Sequence, residues 1–516
     1  MTSKYHDVVL EIIEEARRTH SEFLDISNWE LTCIPAEVAD LQHVTRVDCR
    51  GNQISDFSAL QSLPNLYNLD CCDNELESLE TLVGLTGLLM LDCRDNQLKS
   101  VAHIEALNKL EILEISYNEI EDIGPLAALS KLRSLDCAHN PISSLAALAQ
   151  LTQLTQLECH SMELTDLSPL TKLINLKALD CGFNKITDLQ PLISMDNLKT
   201  LNCSGNRLLD FSGIAGHPNL VAVECRYNNI DNFSALETIP HLNRLNCSDC
   251  NLDSLDCIAG LTELTSLSCH NNQLTSLEPL KAFTRLESLG CAFNSLDTLE
   301  PLAELQGLIR LYCHGNGLES LKPLGGLKQL LHLNFSQNHV TDLSPLMSVT
   351  SLATIDCSKN QIDCIQPLAS LPHMRNLNCS QNRIVDLSPL AGMPRIRFLN
   401  ISENGILNID VLAKLKELKG VGMRDNKIEG LRALSRLTDL THIELSQNHC
   451  SDLRPLRNLT KLRRLLCSGN RITGLTDIKT IDENNEGLKV CSFSDNPISN
   501  VPQEDLDDLR ALRAHF

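Results

Sequence analysis

The segment LDCRDNQL, residues Leu91–Leu98, decides the fold of this chain, because its pattern returns many times along the sequence. The same order of apolar and polar residues is found in LNCSGNRL at Leu201–Leu208 and in IDCSKNQI at Ile355–Ile362. Each copy belongs to a unit L-x-x-L-x-C-x-x-N-x-L that recurs every 22 residues. A fixed period of this length predicts a solenoid, in which one supersecondary unit is stacked on the next.

The asparagine of the unit measures the length of the array. It runs from Asn52 to Asn470 in 19 steps of 22 residues, so 20 units lie in register without an insertion. A degenerate unit with Trp29 in this position precedes them, and another with Asn496 follows after four extra residues. We therefore expect about 22 repeats.

Each position of the unit has a physical role. The alternation in L-x-x-L-x-C predicts a short strand with the Leu and Cys side chains inward, paired in parallel with the strands of neighbouring units. The asparagine amide can donate and accept hydrogen bonds where the chain turns out of the strand. Met162 and Cys250 replace it in two of the 20 units, and we expect a local weak point at Met162, which cannot donate. Ser-Pro pairs such as Ser168-Pro169 predict a short helical turn capped by the Ser in the return segment.

The array resembles the 22-residue leucine-rich repeats of the internalin family, as the segment LTDLSPLTKL at residues 164–173 illustrates, and the match extends from residue 44 to about 475. Repeats of the phosphatase-regulator type share the period. The first unit, with Leu24–Ser27 and Leu31–Val38, resembles the 23-residue repeats of Roco-type and other intracellular bacterial proteins. The resemblance implies an α/β solenoid, a right-handed leucine-rich-repeat superhelix whose parallel concave sheet recognises proteins. The inward Cys departs from the family, which mostly has Leu there.

The ends of a solenoid need caps, because its last faces are apolar. The predicted organisation is an N-terminal capping helix (1–20), a first atypical repeat (21–43), the array (44–487), and a last repeat with a C-terminal capping helix (488–516). In the first helix the pattern predicts that Val8, Ile12, Ile13 and Ala16 share one side, and residues 503–514 are expected to form the second helix.

Net charge and composition limit the classes of partner. The chain has 516 residues and a net charge of −22, which disfavours nucleic acid and anionic membranes and favours a protein partner with a basic surface. It shows no apolar run of about 18 residues. Without a recognisable secretion signal, we expect a monomeric cytoplasmic protein, and secretion by a non-classical route stays open.

Cysteine fills the second inward position of the strand in 15 of the 20 units, and the other units use Ile, Phe, Met or Leu. That exchange set predicts buried structural thiols that pack as small apolar groups. Cys72 differs, since it occupies an outward position between Arg50 and Arg94 of the adjacent units. Those guanidinium groups favour a reactive thiolate, whereas Asp48, Asp70 and Asp92 oppose it, so both alternatives stay open.

Two rows of outward residues are the candidate partner-binding site. The middle position of the strand carries an acid in seven successive units, and like charges stacked in this way repel one another. The position before the asparagine holds four exposed aromatic residues, a type frequent at binding hot spots. A solvated face and lone surface rings are the alternatives. The candidate residues are Asp48, Asp70, Asp92, Glu114, Asp136, Glu158, Asp180 and Glu224 in the acidic row, and Tyr117, Phe183, Tyr227 and Phe293 in the aromatic row.

No signature of catalysis was found, such as a phosphate-binding loop or a nucleophile elbow. We therefore expect no enzyme activity, no cofactor and no metal. The favoured function is a protein-interaction scaffold. The alternatives are a regulatory subunit of an enzyme such as a phosphatase, a secreted internalin-like binding protein, or a thiol-based redox protein.

Overall fold

The computed structural model describes residues 6–230, 232–474, 480–481 and 487–498. The chain forms two compact units, Met1–Cys250 and Asn251–Phe516, and both are leucine-rich-repeat solenoids built from the same module of strand, turn and 3₁₀ helix. The second predicted capping helix, at 503–514, lies outside the described residues. Among the described residues, no helix is both long enough and apolar enough to cross a membrane.

The first unit begins with helix α1 (His6–Thr19), followed by strand β1 (Phe23–Asp25). The helix buries Val9, Ile13 and Ala16, which are 0%, 0% and 6% exposed. Val8 was predicted to lie on this side but is 39% exposed. The buried side of the helix runs through Val9 and Ile13, which are four residues apart and therefore share one face.

Eleven parallel strands form the sheet of the first unit, each pairing with the next at a shift of one repeat, so that Asp48 lies beside Asp70 and Asp70 beside Asp92. After β1 the strands are β2 (Arg46–Asp48), β3 (Asn68–Asp70), β4 (Met90–Asp92), β5 (Ile112–Glu114), β6 (Ser134–Asp136), β7 (Gln156–Glu158), β8 (Ala178–Asp180), β9 (Thr200–Asn202), β10 (Ala222–Glu224) and β11 (Arg244–Asn246).

The second unit repeats this arrangement, with the strands again parallel and in the same register. Its strands are β12 (Ser266–Ser268), β13 (Ser288–Gly290), β14 (Arg310–Tyr312), β15 (His332–Asn334), β16 (Thr354–Asp356), β17 (Asn376–Asn378), β18 (Phe398–Asn400), β19 (Gly420–Gly422), β20 (His442–Glu444), β21 (Arg464–Leu466) and β22 (Val490–Ser492).

Short 3₁₀ helices form the return segments. In the Ser-Pro repeats the cap is an aspartate and not the predicted serine: Asp166 accepts a hydrogen bond from the Ser168 N–H at 2.7 Å. In the first unit the 3₁₀ helices are Ala36–Asp40, Ser58–Ser62, Leu79–Leu82, Ile104–Leu107, Gly124–Ala128, Ala146–Gln150, Ser168–Lys172, Gln190–Leu192, Ser212–Ile214 and Ser234–Thr238. In the second unit they are Asp256–Ile258, Glu278–Ala282, Glu300–Leu302, Lys322–Gly326, Ser344–Ser348, Gln366–Ser370, Ser388–Gly392, Asp410–Lys414, Arg432–Arg436 and Arg454–Leu456.

The asparagines of the repeats form a ladder of hydrogen bonds and are buried or half-buried, as the sequence predicted. Asn74 is typical: its Oδ1 accepts the Ile54 N–H at 3.0 Å, and its Nδ2 donates to the carbonyls of Cys49, Cys71 and Cys72. Each amide thus joins two repeats through backbone groups that the strands leave unpaired.

The cysteine column is buried, and all 22 cysteines are free thiols. Cys71 Sγ lies 3.2 Å from the carbonyl oxygen of Asp92, the same oxygen that accepts the Cys71 N–H at 2.8 Å. Several other cysteines of the column make the same contact; for example, Cys225 Sγ lies 3.1 Å from the Asn246 carbonyl oxygen. The thiol therefore adds a weak donor to the apolar packing that the sequence predicted.

Candidate functional site

Where the middle outward residue of a strand is Asp or Asn, its side-chain oxygen accepts a hydrogen bond from the backbone N–H two residues further on. Asp92 Oδ1 accepts the Arg94 N–H at 3.1 Å, and Asp180 Oδ1 accepts the Gly182 N–H at 2.9 Å. Asn202 makes the same bond to Ser204 at 3.1 Å. An aspartate or an asparagine oxygen satisfies this N–H equally well.

This bond explains why the row is so regular, which the sequence analysis missed. The signal was present in the alternation of Asp and Asn at one position, since those residue types share a short side chain that can accept from nearby backbone. Because an uncharged asparagine makes the same bond, this role accounts for the position of the row and not for its negative charge.

Two arginines neutralise the first part of the acidic row. Arg50 lies 3.1 Å from Asp48 and 3.5 Å from Asp70. Arg94 donates to both oxygens of Asp92, at 3.0 and 2.6 Å, and reaches Glu114 at 3.0 Å. Asp48 and Asp92 are 8% and 3% exposed. These two carboxylates are thus covered by their own chain.

The second part of the row keeps its charge. In the described part of the chain, no ion pair is found for Asp136, Glu158, Asp180 or Glu224. Their hydrogen-bond donors are uncharged: Ser116 Oγ for Asp136 at 2.6 Å, and asparagine Nδ2 for Asp180 and Glu224 at 2.9 and 2.7 Å. Four carboxylates on strands β6, β7, β8 and β10 therefore face outward without a cationic partner among the described residues.

A recess of about 350 Å³ opens between Glu158, Asp180 and Glu224. Its small side chains are Ala178, Thr200 and Ala222, the first residues of strands β8 to β10, and its acids are Glu158, Asp180 and Glu224. Arg244 lines the far end. Small residues in one row and acids in the next give a depression that can receive a long cationic side chain.

Glu114 stands at the border of the two parts. Burial, followed by the neighbouring charge of Asp92, raises the pKa of the Glu114 carboxyl to about 7, although Arg94 opposes the shift. Crowding of acids in the covered part of the row therefore costs free energy when all of them are ionised.

The aromatic row has a left-handed backbone. The φ angles of Tyr117, Phe183, Tyr227 and Phe293 are 55°, 51°, 56° and 53°. Most other repeats place Gly, Asp, Asn or another polar residue here. A bulky ring in this conformation is strained, and such strain is typical of functional positions. The four rings are 44 to 52% exposed.

Contacts between repeats order three of these rings in the first unit. Phe183 and Tyr227 are two repeats apart, yet their ring centroids are 6.2 Å apart, because Gly205 lies between them. A Cβ at Gly205 would meet the Phe183 ring at 2.6 Å. Tyr117 stacks on His139 at 4.1 Å. Phe293 belongs to the second unit, where it contacts His314 at 4.9 Å, so the structure places it in a separate group.

The environment of Cys72 opposes the reactive thiolate that the sequence left open. Burial, followed by the charges of Asp70 and Asp92, raises the pKa of its thiol to about 12, and Arg94 only partly offsets them. Ligand atoms of Asp70, Cys72 and Asp92 lie within 4.8 Å of one another. A guanidinium already contacts each of these carboxylates, so the positive charge that a metal would supply is present.

Comparison with known proteins agrees with this architecture. The family described as Leucine Rich repeats (2 copies) matches residues 130–172, 174–216, 262–304 and 350–392. No curated protein sequence matches the chain at a significant level.

Three solved structures illustrate the likeness. The functional domain of InlJ from Listeria monocytogenes, which includes a cysteine ladder, is 26% identical, with a TM-score of 0.52 over 71% of this chain and 74% of that one. The LRR ectodomain of the receptor kinase GASSHO1/SCHENGEN3 from Arabidopsis thaliana, in complex with CASPARIAN STRIP INTEGRITY FACTOR 2, is 21% identical, with a TM-score of 0.61 over 93% and 68%. TLR13 in its complex with ssRNA13 is 16% identical, with a TM-score of 0.55 over 91% and 87%. The four matched segments are therefore leucine-rich repeats, and the chain is similar in fold to a receptor-kinase ectodomain and to the functional domain of an internalin.

Proposed function

We propose that this protein is a non-enzymatic interaction scaffold whose first unit binds a basic segment of a protein partner. The observation that carries the proposal is the division of the acidic row. Arg50 and Arg94 neutralise its beginning, whereas Asp136, Glu158, Asp180 and Glu224 have no ion pair in the described part of the chain, and the last three of them line a recess.

The aromatic row supports the same function. Phe183 and Tyr227 each lie three residues after an acid of the recess, and Arg226 Cζ lies 5.7 Å from the Tyr227 ring centroid. Guanidinium groups stack on aromatic faces and pair with carboxylates. A partner segment rich in arginine would find both kinds of group on this unit.

The solved complex of the GASSHO1 ectodomain, a protein of the same fold, is consistent with a ligand-binding role. A secreted internalin-like binding protein is the second candidate, since InlJ combines this fold with a cysteine ladder. A cytoplasmic scaffold and a regulatory subunit of an enzyme such as a phosphatase are further forms of the same proposal, and all of them use the acidic recess.

Isothermal titration with the peptide Arg-Ser-Arg-Ser-Arg-Ser tests the recess directly. The variant E158Q/D180N/E224Q removes three charges and preserves side-chain shape. It should bind about tenfold more weakly at low salt, as expected for several exposed charge pairs of up to about 1 kcal/mol each. The matched control, E105Q/E121Q/D196N, removes three exposed acids elsewhere in the same unit and should bind like the unmodified protein. Equal affinity of both variants would refute the recess as the binding site.

A further inference from the structure

The second unit contains a basic region that the net charge of the chain conceals. Residues 371–474 carry 17 lysines and arginines against nine aspartates and glutamates, in a protein whose net charge is −22. The local charge of this region is therefore opposite to that of the acidic recess, and it favours an acidic binding partner.

Several of these cations line one edge of the sheet. Arg375, Arg397, Lys419 and Arg463 directly precede strands β17, β18, β19 and β21. Parallel register places such residues in one row, about 4.8 Å apart from strand to strand. Arg397 pairs with Glu417 at 3.1 Å. Within the described ranges, Arg375, Lys419 and Arg463 have no ion pair, and all three are exposed.

Beside this edge the outer face of the sheet has a depression. Both outward residues of β19 are glycines, Gly420 and Gly422, so the backbone of this strand is not covered by side chains of its own. A cavity of about 590 Å³ lies over it. Phe398, His442 and Arg464 form its walls beside the basic edge.

The Phe398 ring is the apolar wall of this cavity. Its side chain is 50% exposed, and a Cβ at Gly420 would lie 3.0 Å from the Phe398 Cδ1. The ring therefore leans over the glycine strand and offers a flat apolar surface. An aromatic or large aliphatic side chain placed there would bury the ring together with itself.

Two acids, Asp356 and Glu444, also line the cavity, and both accept hydrogen bonds from neighbouring groups of the protein. Asp356 accepts hydrogen bonds from the Ser358 N–H and Oγ and from Asn378 Nδ2. Glu444 accepts the Ser446 N–H at 3.0 Å. Free positive charge is thus at the edge, on Arg463 and Arg464, and the interior of the cavity is apolar and partly acidic.

We propose that this cavity, with the basic edge, is a second docking site, for an acidic protein segment that carries a large apolar side chain. The apolar side chain enters the space over Gly420 against Phe398, and flanking carboxylates pair with Arg463 and Arg464. Single-stranded nucleic acid fits less well, because it needs a series of stacking rings and a cationic path, and the acids in the cavity repel its phosphates. The site is independent of the acidic recess in the first unit.

Fluorescence anisotropy with labelled peptides tests this site. The probe Asp-Glu-Phe-Glu-Asp should bind about tenfold more tightly than the same peptide with alanine at its centre, as the burial of a large apolar side chain predicts. The variant R463A/R464A should weaken both probes about tenfold. G420L should remove the preference for phenylalanine, because the new side chain fills the cavity, and should leave charge-dependent binding intact.

Matched controls guard against loss of structure. G430L alters an exposed glycine with no atom within 4 Å of its ideal Cβ, and R436A removes an exposed arginine in a 3₁₀ helix of the same unit. Both should bind the probes normally. If G420L fails to fold by circular dichroism, R463A/R464A and the comparison of the two probes on the unmodified protein decide.

Three results would overturn the proposal. One is equal affinity for the phenylalanine and alanine probes. Another is tighter binding of an oligothymidine of about 20 nucleotides than of the peptide. The third is sedimentation of a dimer that R463A/R464A dissociates, which would assign the edge to a second copy of the chain. E158Q/D180N/E224Q should not affect the acidic probe, so failure here and failure of the proposed function are distinguishable.

Discussion

Arg94 holds Asp92 by two hydrogen bonds, of 3.0 and 2.6 Å, from a position two residues further along the same repeat, and it reaches Glu114 of the next repeat at 3.0 Å. One guanidinium therefore serves two carboxylates. The arrangement is absent where the row reaches Asp136, since position 138 is alanine and position 116 is serine. This difference separates a covered part of the acidic row from a part that can bind a partner.

Glu114 should make stability depend on pH. Its folded pKa of about 7 lies above the ordinary value, so the unfolded chain loses this proton first and stability falls as pH rises toward 7. Glu114→Gln removes the penalty. The variant should gain stability relative to the unmodified protein between pH 5 and pH 8, by on the order of 2 kcal/mol. Urea unfolding followed by circular dichroism at both pH values measures this, and Glu121→Gln is the exposed control. A difference independent of pH would contradict the explanation.

Met162 interrupts the asparagine ladder, and replacing it with asparagine should stabilise the protein. In the repeats that keep the asparagine, its Oδ1 accepts a backbone N–H of the preceding repeat, as Asn140 does for Ile120. At Met162 the corresponding donor is the Ile142 N–H, and no acceptor for it is found among the described residues. Met162→Asn should supply one and raise the free energy of unfolding by about 1 kcal/mol. Thermal or urea unfolding checks the sign. A less stable variant would show that burial of the methionine outweighs the hydrogen bonds.

Asp180 should separate the structural role of the row from recognition. Asp180→Asn keeps an acceptor for the Gly182 N–H and should leave stability nearly unchanged, whereas Asp180→Ala should lower it by about 1 kcal/mol. Both should weaken binding of a basic peptide. If Asp180→Asn destabilises the protein as much as Asp180→Ala, the charge itself has a structural role.

Tyr227 should lower the stability of the protein and strengthen its binding of a basic segment. Its φ of 56° is costly for a residue with a Cβ. Tyr227→Gly should keep or raise the free energy of unfolding, by up to about 1 kcal/mol, and should weaken the arginine peptide severalfold. Unfolding and titration on the same sample give both values. Loss of stability without loss of affinity would mean that the ring packs only against Phe183.

Much of the fold could be read from the sequence, because a period of 22 residues fixes both the strand and its neighbours. The roles of Asn74 and Cys71 followed from position alone. The buried side of α1 was shifted by one residue, since Val8 and Val9 are both apolar and only packing distinguishes them. The repeat places the candidate acids at one position of successive strands, but which of them are neutralised depends on single arginines, whose reach only coordinates show.

The basic edge around Arg463 was missed for a different reason. A net charge of −22 describes the whole chain and hides a local excess of cations. The glycine pair in β19 is visible in the sequence, but its meaning depends on the Phe398 ring of the neighbouring strand, which only register places over it.

Hydrogen–deuterium exchange with the peptide Arg-Ser-Arg-Ser-Arg-Ser maps where a basic segment lies on the first unit. We expect slower exchange at strands β7 to β10, residues 156–158, 178–180, 200–202 and 222–224, and no change around Asp48 and Asp92, whose arginine partners already cover them. Protection centred on β2 to β4, or uniform along the unit, would contradict this expectation.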